Sequence, residues 1–202
     1  MLRPARAEDA GAIAEIWHRG WQDGHLGLVP QELLGVRTEA SFRTRASERI
    51  PDTTVATVEG AVAGFVMVVG DEVEQVYVGA AFRGTGVANV LTDEAERQVK
   101  ANGHPKAWLA VVAGNARARA FYERAGWVDE GHFDYPAAAE ERAIAVPSRR
   151  YTKSVARRTS RAARVFGRAG ATLCAVLLPP PGASSRRTQA RRGCGSRPTS
   201  RG

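Results

Sequence analysis

The hydrophobic pattern of the chain changes its period abruptly at a glycine-rich turn near Gly84, and this change constrains the fold most. Before the turn, three β-branched or apolar runs at 53–58, 61–69 and 72–78 are separated by two-residue turns, which predicts an antiparallel meander. After the turn, apolar residues recur at helical spacing over 86–101. The turn must therefore join a strand directly to a helix.

The segments on either side of this centre complete a mixed plan. They are a strand at 2–6, helices at about 10–21 and 39–49, a strand at 107–113, a helix that starts after Asn115, and strands at 127–133 and 143–151. The order β-αα-βββ-α-β-α-ββ predicts an α+β domain whose mixed, mostly antiparallel twisted sheet is flanked by helices. The strands at 72–78 and 107–113 should run parallel, because a helix connects them.

Glycine and proline residues mark where the elements are expected to end. Gly24 and Gly27 interrupt the first helical pattern. Pro30 follows them and is expected to open a loop. Pro136 falls between the last two strand patterns and is assigned to the loop that joins them.

The net charge of +8 comes entirely from the C-terminal segment. Residues 1–155 carry 18 Lys and Arg against all 21 Asp and Glu, whereas residues 156–202 carry 11 Arg and no acidic residue. A segment of Arg, Ala, Gly, Ser and Pro buries too little apolar surface to offset its ordering entropy. We therefore predict a folded domain over 1–155 and a disordered basic low-complexity tail over 156–202. The tail could neutralise nucleic-acid phosphates, but no folded nucleic-acid motif accompanies it, so we favour a solvated extension without function.

The composition of the domain excludes several kinds of site. Both cysteines, Cys174 and Cys194, lie in the tail, which excludes a disulfide scaffold or a thiolate zinc site in the domain. The four histidines show no metal-ligand spacing, so no metal is expected. No apolar stretch approaches the roughly 20 residues that span a bilayer, and the N-terminus lacks the apolar run of a signal peptide. We expect a cytoplasmic protein that does not bind membranes.

The turn itself, Arg83-Gly84-Thr85-Gly86-Val87-Ala88, has the properties of an anion site. Glycines let the main chain approach a ligand, and the following helix directs unpaired N–H groups and its positive dipole end at the same spot. A diphosphate suits such a site. A nucleoside triphosphate loop would need GxxxxGK[ST], and a dinucleotide turn would need glycine where Asn89 stands. The pyrophosphate of coenzyme A is the third option.

The run from Val76 to Ala88 resembles the acetyl-CoA motif of the GNAT N-acetyltransferase superfamily, whose core is Arg/Gln-x-x-Gly-x-Gly/Ala. Arg83, Gly86 and Ala88 match this core. A second block, N-x-x-A-x-x-F-Y-E-x-x-G-W over 115–127, matches the family independently at the expected distance. The resemblance covers about residues 2–153. It departs at residues 79–80, a Gly-Ala pair where many members have His-Pro or Asp-Pro.

The resemblance implies acetyl-CoA as the acyl-donor co-substrate and assigns residues to it. Main-chain groups of Val76, Tyr77 and Val78 would pair with the pantetheine arm, and one amide there would meet the oxyanion. Main-chain amides of the turn would hold the pyrophosphate: Arg83, Gly84, Thr85, Gly86, Val87 and Ala88. Asn115 would hydrogen-bond the pantetheine, and capping the next helix is an equally good role for it.

Acetyl transfer to an amine needs an acid for the leaving thiolate and a base for the substrate ammonium. By the resemblance Tyr122, a phenol with a reference pKa of about 10, is the acid. Its apolar helical face also fits a packed core tyrosine. For the base we select Glu74, which shares a strand face with Glu72, ahead of His18 and His25.

The sequence thus predicts an N-acetyltransferase that moves an acetyl group from acetyl-CoA to a primary amine of a small molecule or peptide by direct attack. The domain has no thiol to carry a covalent acyl intermediate. Two other function classes stay open: a non-catalytic acyl-CoA-binding module, and a nucleic-acid binder acting through the tail. The sequence identifies neither the acceptor nor the oligomeric state, and the resemblance leaves a homodimer open.

Overall fold

The computed structural model describes residues 1–137 and 143–156. The predicted disordered tail lies outside the described residues, apart from Ala156. The helices and strands follow in the order β1 Leu2–Pro4, α1 Ala10–His25, α2 Gln31–Val36, α3 Glu39–Glu48, β2 Thr53–Val58, β3 Ala61–Val69, β4 Glu72–Val78, α4 Val87–Ala101, β5 Lys106–Val112, α5 Ala116–Arg124, β6 Val128–Ala137 and β7 Ile144–Ser154. Short 3-10 turns occupy Ala7–Asp9, Ile50–Asp52 and Ala80–Phe82.

The strands form one sheet in the order β1-β2-β3-β4-β5-β7-β6. Every pairing between neighbours is antiparallel except that of β4 with β5, which is parallel. This confirms the predicted α+β architecture with a mostly antiparallel sheet. The three strands of the meander, β2 to β4, begin and end at the predicted residues. Their short turns leave little freedom in where each strand stops.

Helices on the two faces of the sheet build two apolar cores. The continuous apolar run of β3 serves both, because successive side chains of a strand point to opposite faces. Val66 and Val68 belong to the core that includes α4 and α5, whereas Phe65 and Met67 belong to the core that includes α1, α2 and α3. The two cores hold the strands from opposite sides and fix the position of the β4 end.

Three expectations about where elements begin and end are wrong. Helix α1 continues through Gly24, which packs closely on Asn115: a Cβ added at Gly24 would lie 2.9 Å from the Asn115 Nδ2 atom. The segment after Pro30 is a helix, α2, because a proline is well tolerated at the start of a helix. Pro136 pairs with Ala145 inside β6, which is an edge strand where a missing N–H breaks no ladder.

Gly64 of β3 marks a close approach between β3, β4 and α4. A Cβ added at Gly64 would lie 2.6 Å from the Tyr77 carbonyl oxygen and 2.9 Å from the Leu91 Cδ1 atom. The carbonyl belongs to the main chain of β4, and Leu91 is fully buried. Neither neighbour can move without disturbing the sheet or the core, so this position requires glycine.

Gly64→Ala should destabilise the protein by about 1–3 kcal/mol, the usual cost of overpacking a core. Gly11→Ala is the control, because Gly11 lies in α1 and no atom comes within 4 Å of the position of an added Cβ. Alanine at Gly11 should raise the free energy of unfolding by up to about 1 kcal/mol through helix propensity. Urea denaturation followed by circular dichroism measures both, and an unchanged midpoint for Gly64→Ala would contradict the close approach.

Candidate functional site

The parallel pairing between β4 and β5 is limited to one position, Glu72 opposite Trp108. Beyond it a cleft of about 1180 Å³ opens, and residues 75–78 of β4 and 109–112 of β5 line its walls. Neighbouring parallel strands normally form evenly spaced hydrogen bonds along their length. The separation therefore leaves main-chain donors and acceptors free in the middle of the sheet.

The main-chain groups of Val76 and Val78 point into this cleft. The Gly79 amide donates to the Ala63 carbonyl oxygen at 2.8 Å, and the direction of main-chain groups alternates along an antiparallel pair. The amide and carbonyl of Tyr77 therefore face β3, and those of Val76 and Val78 face β5. Tyr77, which the sequence grouped with these two valines, contributes its ring to the cleft wall instead.

A β-bulge in β4 interrupts the regular alternation of its side chains. Met67 and Val68, which are neighbours in β3, pair with Gln75 and Val73, so Glu74 is an additional residue between them. Such a residue bends the strand and shifts the direction in which the later side chains of the strand point. No feature of the sequence indicated this bulge.

The bulge separates the side chains of β4 into two groups. Glu72 and Glu74 share a face, as predicted, and contact groups from β6 and from the end of α3. Val76 and Val78 instead pack with the core on the α4 side. The two carboxylates therefore lie beside one half of the cleft, which we call the acceptor half, and the main-chain groups of the valines border the other.

The glycine-rich turn after β4 has the conformation that an anion site requires. Gly84 and Gly86 have φ angles of +80° and +90°, a region that favours glycine. Gly86 is the N-cap of α4. Within the described residues, the amides of Gly86, Val87 and Ala88 have no main-chain acceptor, as expected for the start of a helix. The turn therefore presents free donors at the cleft.

Only some side chains of the turn reach the cleft. Arg83 lines it, and its Nη2 lies 2.6 Å from the Oδ2 of Asp23 in α1. The Thr85 hydroxyl donates to the Phe82 carbonyl oxygen at 2.7 Å, and the Val87 side chain is buried in the core. The Thr85 amide also donates to the Phe82 carbonyl oxygen, at 3.4 Å, so Val87 can offer a ligand only its main chain and Thr85 has neither its hydroxyl nor its amide free.

Asn115 and Tyr122, from the second motif, both line the cleft. The Oδ1 of Asn115 accepts a hydrogen bond from the Ala118 amide at 3.1 Å, so Asn115 is the predicted cap of α5. The Tyr122 ring packs edge-on against Phe121 and Trp127, at 5.1 and 5.8 Å between ring centroids. Burial raises the pKa of Tyr122 above its ordinary value. Tyr122 is thus a core residue whose ring also borders the cleft.

The two candidate carboxylate bases have different partners. Glu72 accepts a hydrogen bond from the Tyr135 hydroxyl at 2.8 Å. Burial raises the pKa of Glu72, and this hydrogen bond partly offsets the effect. Glu74 forms an ion pair with Arg49, with 2.5 Å between Oε2 and Nη2. Glu74 is therefore neutralised by a cation, whereas Glu72 is bound only by a phenol.

The two histidines considered as bases lie in different places. His25 lines the cleft, stacks on Trp21 at 5.0 Å, and has its Nδ1 2.9 Å from the Trp21 carbonyl oxygen. Burial lowers the pKa of His25 to about 4. His18 packs near Phe42 at 5.3 Å and is not among the described residues that line the cleft. Of these two histidines, His25 alone lines the cleft, and its lowered pKa makes it a weak base there.

Sequence reasoning missed three arginines of the acceptor half. Arg37 follows α2, Arg45 lies in α3 and Arg49 follows α3, and all three line the cleft. The i, i+4 spacing of Arg45 and Arg49 was the available signal, since it places both on one side of a helix. The residues around Arg37 form no pattern that would indicate its position in the cleft wall.

Two other kinds of feature are absent from the described residues. No helix among them combines the length and apolar character that crossing a bilayer would require. The same residues bring together no group of three His, Cys, Asp or Glu side chains that could hold a metal ion.

Several solved structures are similar to this one. A GCN5-related N-acetyltransferase (aminotransferase, class II) from Rhodopseudomonas palustris is 25% identical, with a TM-score of 0.60 over 76% of this chain and 94% of that chain. YncA from Salmonella typhimurium, solved with its cofactor acetyl-CoA, is 16% identical, with a TM-score of 0.57 over 77% and 93%. The PaiA N-acetyltransferase from Thermoplasma acidophilum, in complex with coenzyme A, is 16% identical, with a TM-score of 0.53 over 76% and 98%.

Among curated proteins none matches the chain. The model of the acetyltransferase (GNAT) family matches residues 12–127, which is more than half of the chain and includes both motifs. The matched region contains β4, the glycine-rich turn, α4, β5 and α5, the elements that form the cleft. The chain belongs to the GNAT family of acetyltransferases.

Proposed function

We propose that the protein is an N-acetyltransferase that uses acetyl-CoA to acetylate a primary amine of a small molecule or peptide. The observation that carries this proposal is the cleft between β4 and β5, which has free main-chain groups along one wall and the glycine-rich turn at its edge. An extended pantetheine followed by a pyrophosphate suits this arrangement. The coenzyme A and acetyl-CoA bound in two similar structures support the same ligand here.

The donor would be held mainly by main-chain atoms. Val76 and Val78 would pair with pantetheine as a neighbouring strand would, and the free amides of Gly86, Val87 and Ala88 would bind the pyrophosphate. The amides of Arg83 and Thr85, which the sequence also assigned to the pyrophosphate, donate to the carbonyl oxygens of Ala80 and Phe82 at 3.4 Å. The Oδ1 of Asn115 caps α5, and its Nδ2 can still donate to the pantetheine. Capping and ligand binding are thus compatible roles for Asn115.

The chemistry would proceed by direct attack. The neutral amine nitrogen attacks the thioester carbon, a C–N bond forms, and negative charge develops on the carbonyl oxygen. The amide of Val76 would stabilise this oxyanion. The C–S bond then breaks, and the thiolate takes a proton from Tyr122. The nitrogen, positively charged after the attack, gives its extra proton back to the Tyr122 phenolate, which yields the neutral amide and restores the phenol. Because burial raises the pKa of Tyr122, its hydroxyl keeps the proton until the thiolate forms.

The contacts favour Glu72 over Glu74 as the base that deprotonates the substrate ammonium. Glu74 is engaged by Arg49, with 2.5 Å between Oε2 and Nη2, so its carboxylate is not free to face a substrate. Burial raises the pKa of Glu72, which makes it a stronger base. Glu74 would then serve to hold Arg49 in place.

Titration of acetyl-CoA into the full-length chain should show binding in the micromolar range. A chain that ends at residue 155 should bind equally well, because every proposed donor contact lies before that residue. Isothermal calorimetry measures both. A folded full-length chain that does not bind would contradict the proposal, and turnover of any amine would exclude a non-catalytic binding module.

The domain boundary, the functionless tail and the cytoplasmic location stay predictions from the sequence.

Tyr122→Phe should lower kcat by about 100-fold or more, the usual contribution of a general acid, while the Kd for acetyl-CoA changes little. Tyr151→Phe is the matched control, because its hydroxyl binds Glu123 at 2.8 Å and the residue is not among those described as lining the cleft. Steady-state kinetics with calorimetry measures both effects. Unchanged turnover in Tyr122→Phe would remove Tyr122 from the mechanism.

The acidic limb of the kcat/KM profile should lie above the ordinary glutamate pKa of about 4.3, because the rate rises as Glu72 loses its proton and burial raises that pKa. Glu72→Gln should lower kcat/KM by about 100-fold and abolish the limb. Tyr135→Phe should move the limb to still higher pH, since it removes a hydrogen bond to the carboxylate. Glu74→Gln should retain the acidic limb of the profile. If the limb is lost in Glu74→Gln and retained in Glu72→Gln, Glu74 is the base.

A further inference from the structure

Arg45 lies in the acceptor half of the cleft without an acceptor for one of its donors. Its guanidinium is 5.2 Å from the centroid of the Trp17 ring, a cation–π contact that fixes its position. Within the described part of the chain, the Nε of Arg45 is buried and has no hydrogen-bond partner. A buried donor without an acceptor is costly. An anionic group of a bound ligand would supply what is missing.

The nearby carboxylates are engaged elsewhere. Glu74 pairs with Arg49, which also pairs with Asp52 at 3.0 Å. Glu72 accepts the hydrogen bond from Tyr135. Among the described residues that line the cleft, Glu72 and Glu74 are the only carboxylates. No carboxylate of the cleft wall is therefore available to neutralise Arg45.

The charged groups around Arg45 do not supply the missing acceptor. Burial lowers the pKa of Arg45, Arg49 disfavours its charged form further, and Glu74 favours it. Arg49 already has Glu74 and Asp52 as partners. A negative group of a ligand beside Arg45 would accept its buried donor and favour its charged form.

We propose that the acetyl acceptor is a primary amine that also carries a carboxylate, as a free amino acid does, and that Arg45 selects it. This inference rests on the proposed acetyltransferase function. The planar fork of Arg45 would hold the carboxylate through paired charge-assisted hydrogen bonds. The ammonium would face Glu72, the proposed base. Arg45, Glu72 and Tyr135, which donates to Glu72, all line the same cleft, so both charges border one space.

The test compares free amino acids with their C-terminal amides, which differ only in the negative charge. Full-length protein is assayed with acetyl-CoA and each acceptor by release of the coenzyme A thiol. The wild-type kcat/KM should be about 10- to 100-fold higher for the preferred free amino acid than for its amide, the range expected of a charged hydrogen bond. Binding of acetyl-CoA is measured in parallel by calorimetry.

Variants of α3 assign the preference to one side chain. Arg45→Gln should raise KM for the free amino acid about 10-fold or more and leave the amide nearly unaffected. Arg45→Lys should restore part of the preference, because it keeps the charge and loses the planar fork. Arg43→Gln is the matched control: Arg43 is exposed in the same helix and pairs with Glu39 at 2.6 Å. Arg43→Gln should have the same KM as the wild type for the free amino acid and for its amide.

The outcomes separate this inference from the function on which it rests. Equal acetylation of amino acids and amides, or acetylation only of amines without a carboxylate, would overturn the inference and leave the acetyltransferase function intact. An unchanged preference in Arg45→Gln, with thermal unfolding showing that the variant is folded, would overturn the role of Arg45. Failure to bind acetyl-CoA, or binding without turnover of any amine, would instead remove the proposed function itself.

Discussion

The separation of β4 from β5 after one paired position is the constraint on which the rest of the site depends. A main-chain donor or acceptor in the interior of a sheet needs a partner, and the groups of Val76 and Val78 find none in the neighbouring strand. The gap stays open because each wall is held from outside: β4 pairs along its length with β3, and β5 with β7. The bulge at Glu74 lies near the start of the gap and places Val76 and Val78 on the face opposite Glu72 and Glu74.

Burial acts on the titratable groups of the cleft in ways that depend on their charge. It raises the pKa of Tyr122 and of Glu72, which keeps the phenol protonated and makes the carboxylate more basic. It lowers the pKa of His25 to about 4, so that the imidazole is neutral but weakly basic. One physical cause therefore keeps the tyrosine protonated, makes the glutamate more basic and makes the histidine less basic.

The sequence predicted the elements around the glycine-rich turn because those elements depend on local patterns. The glycine-rich turn, the cap at Asn115 and the three strands of the meander can each be recognised from adjacent residues. The acceptor half depends on tertiary packing. Arg37 and Arg45 reach the cleft because α2 and α3 pack beside α1, and helix α3 buries only Phe42 and Ala46, too few apolar positions to indicate its orientation. The bulge that separates Glu74 from Val76 likewise has no signature in the residues themselves.

The proposed binding of the donor by main-chain atoms has a consequence for how such a protein can evolve. Main-chain atoms are the same in every residue, so substitutions along β4 and the turn preserve the donor site as long as the backbone keeps its path. The acceptor half is formed by side chains on α2, α3 and β6, and each can change without disturbing the donor. Divergence can therefore replace the substrate and retain the cofactor, which fits a shared fold at identities of 16% to 25%.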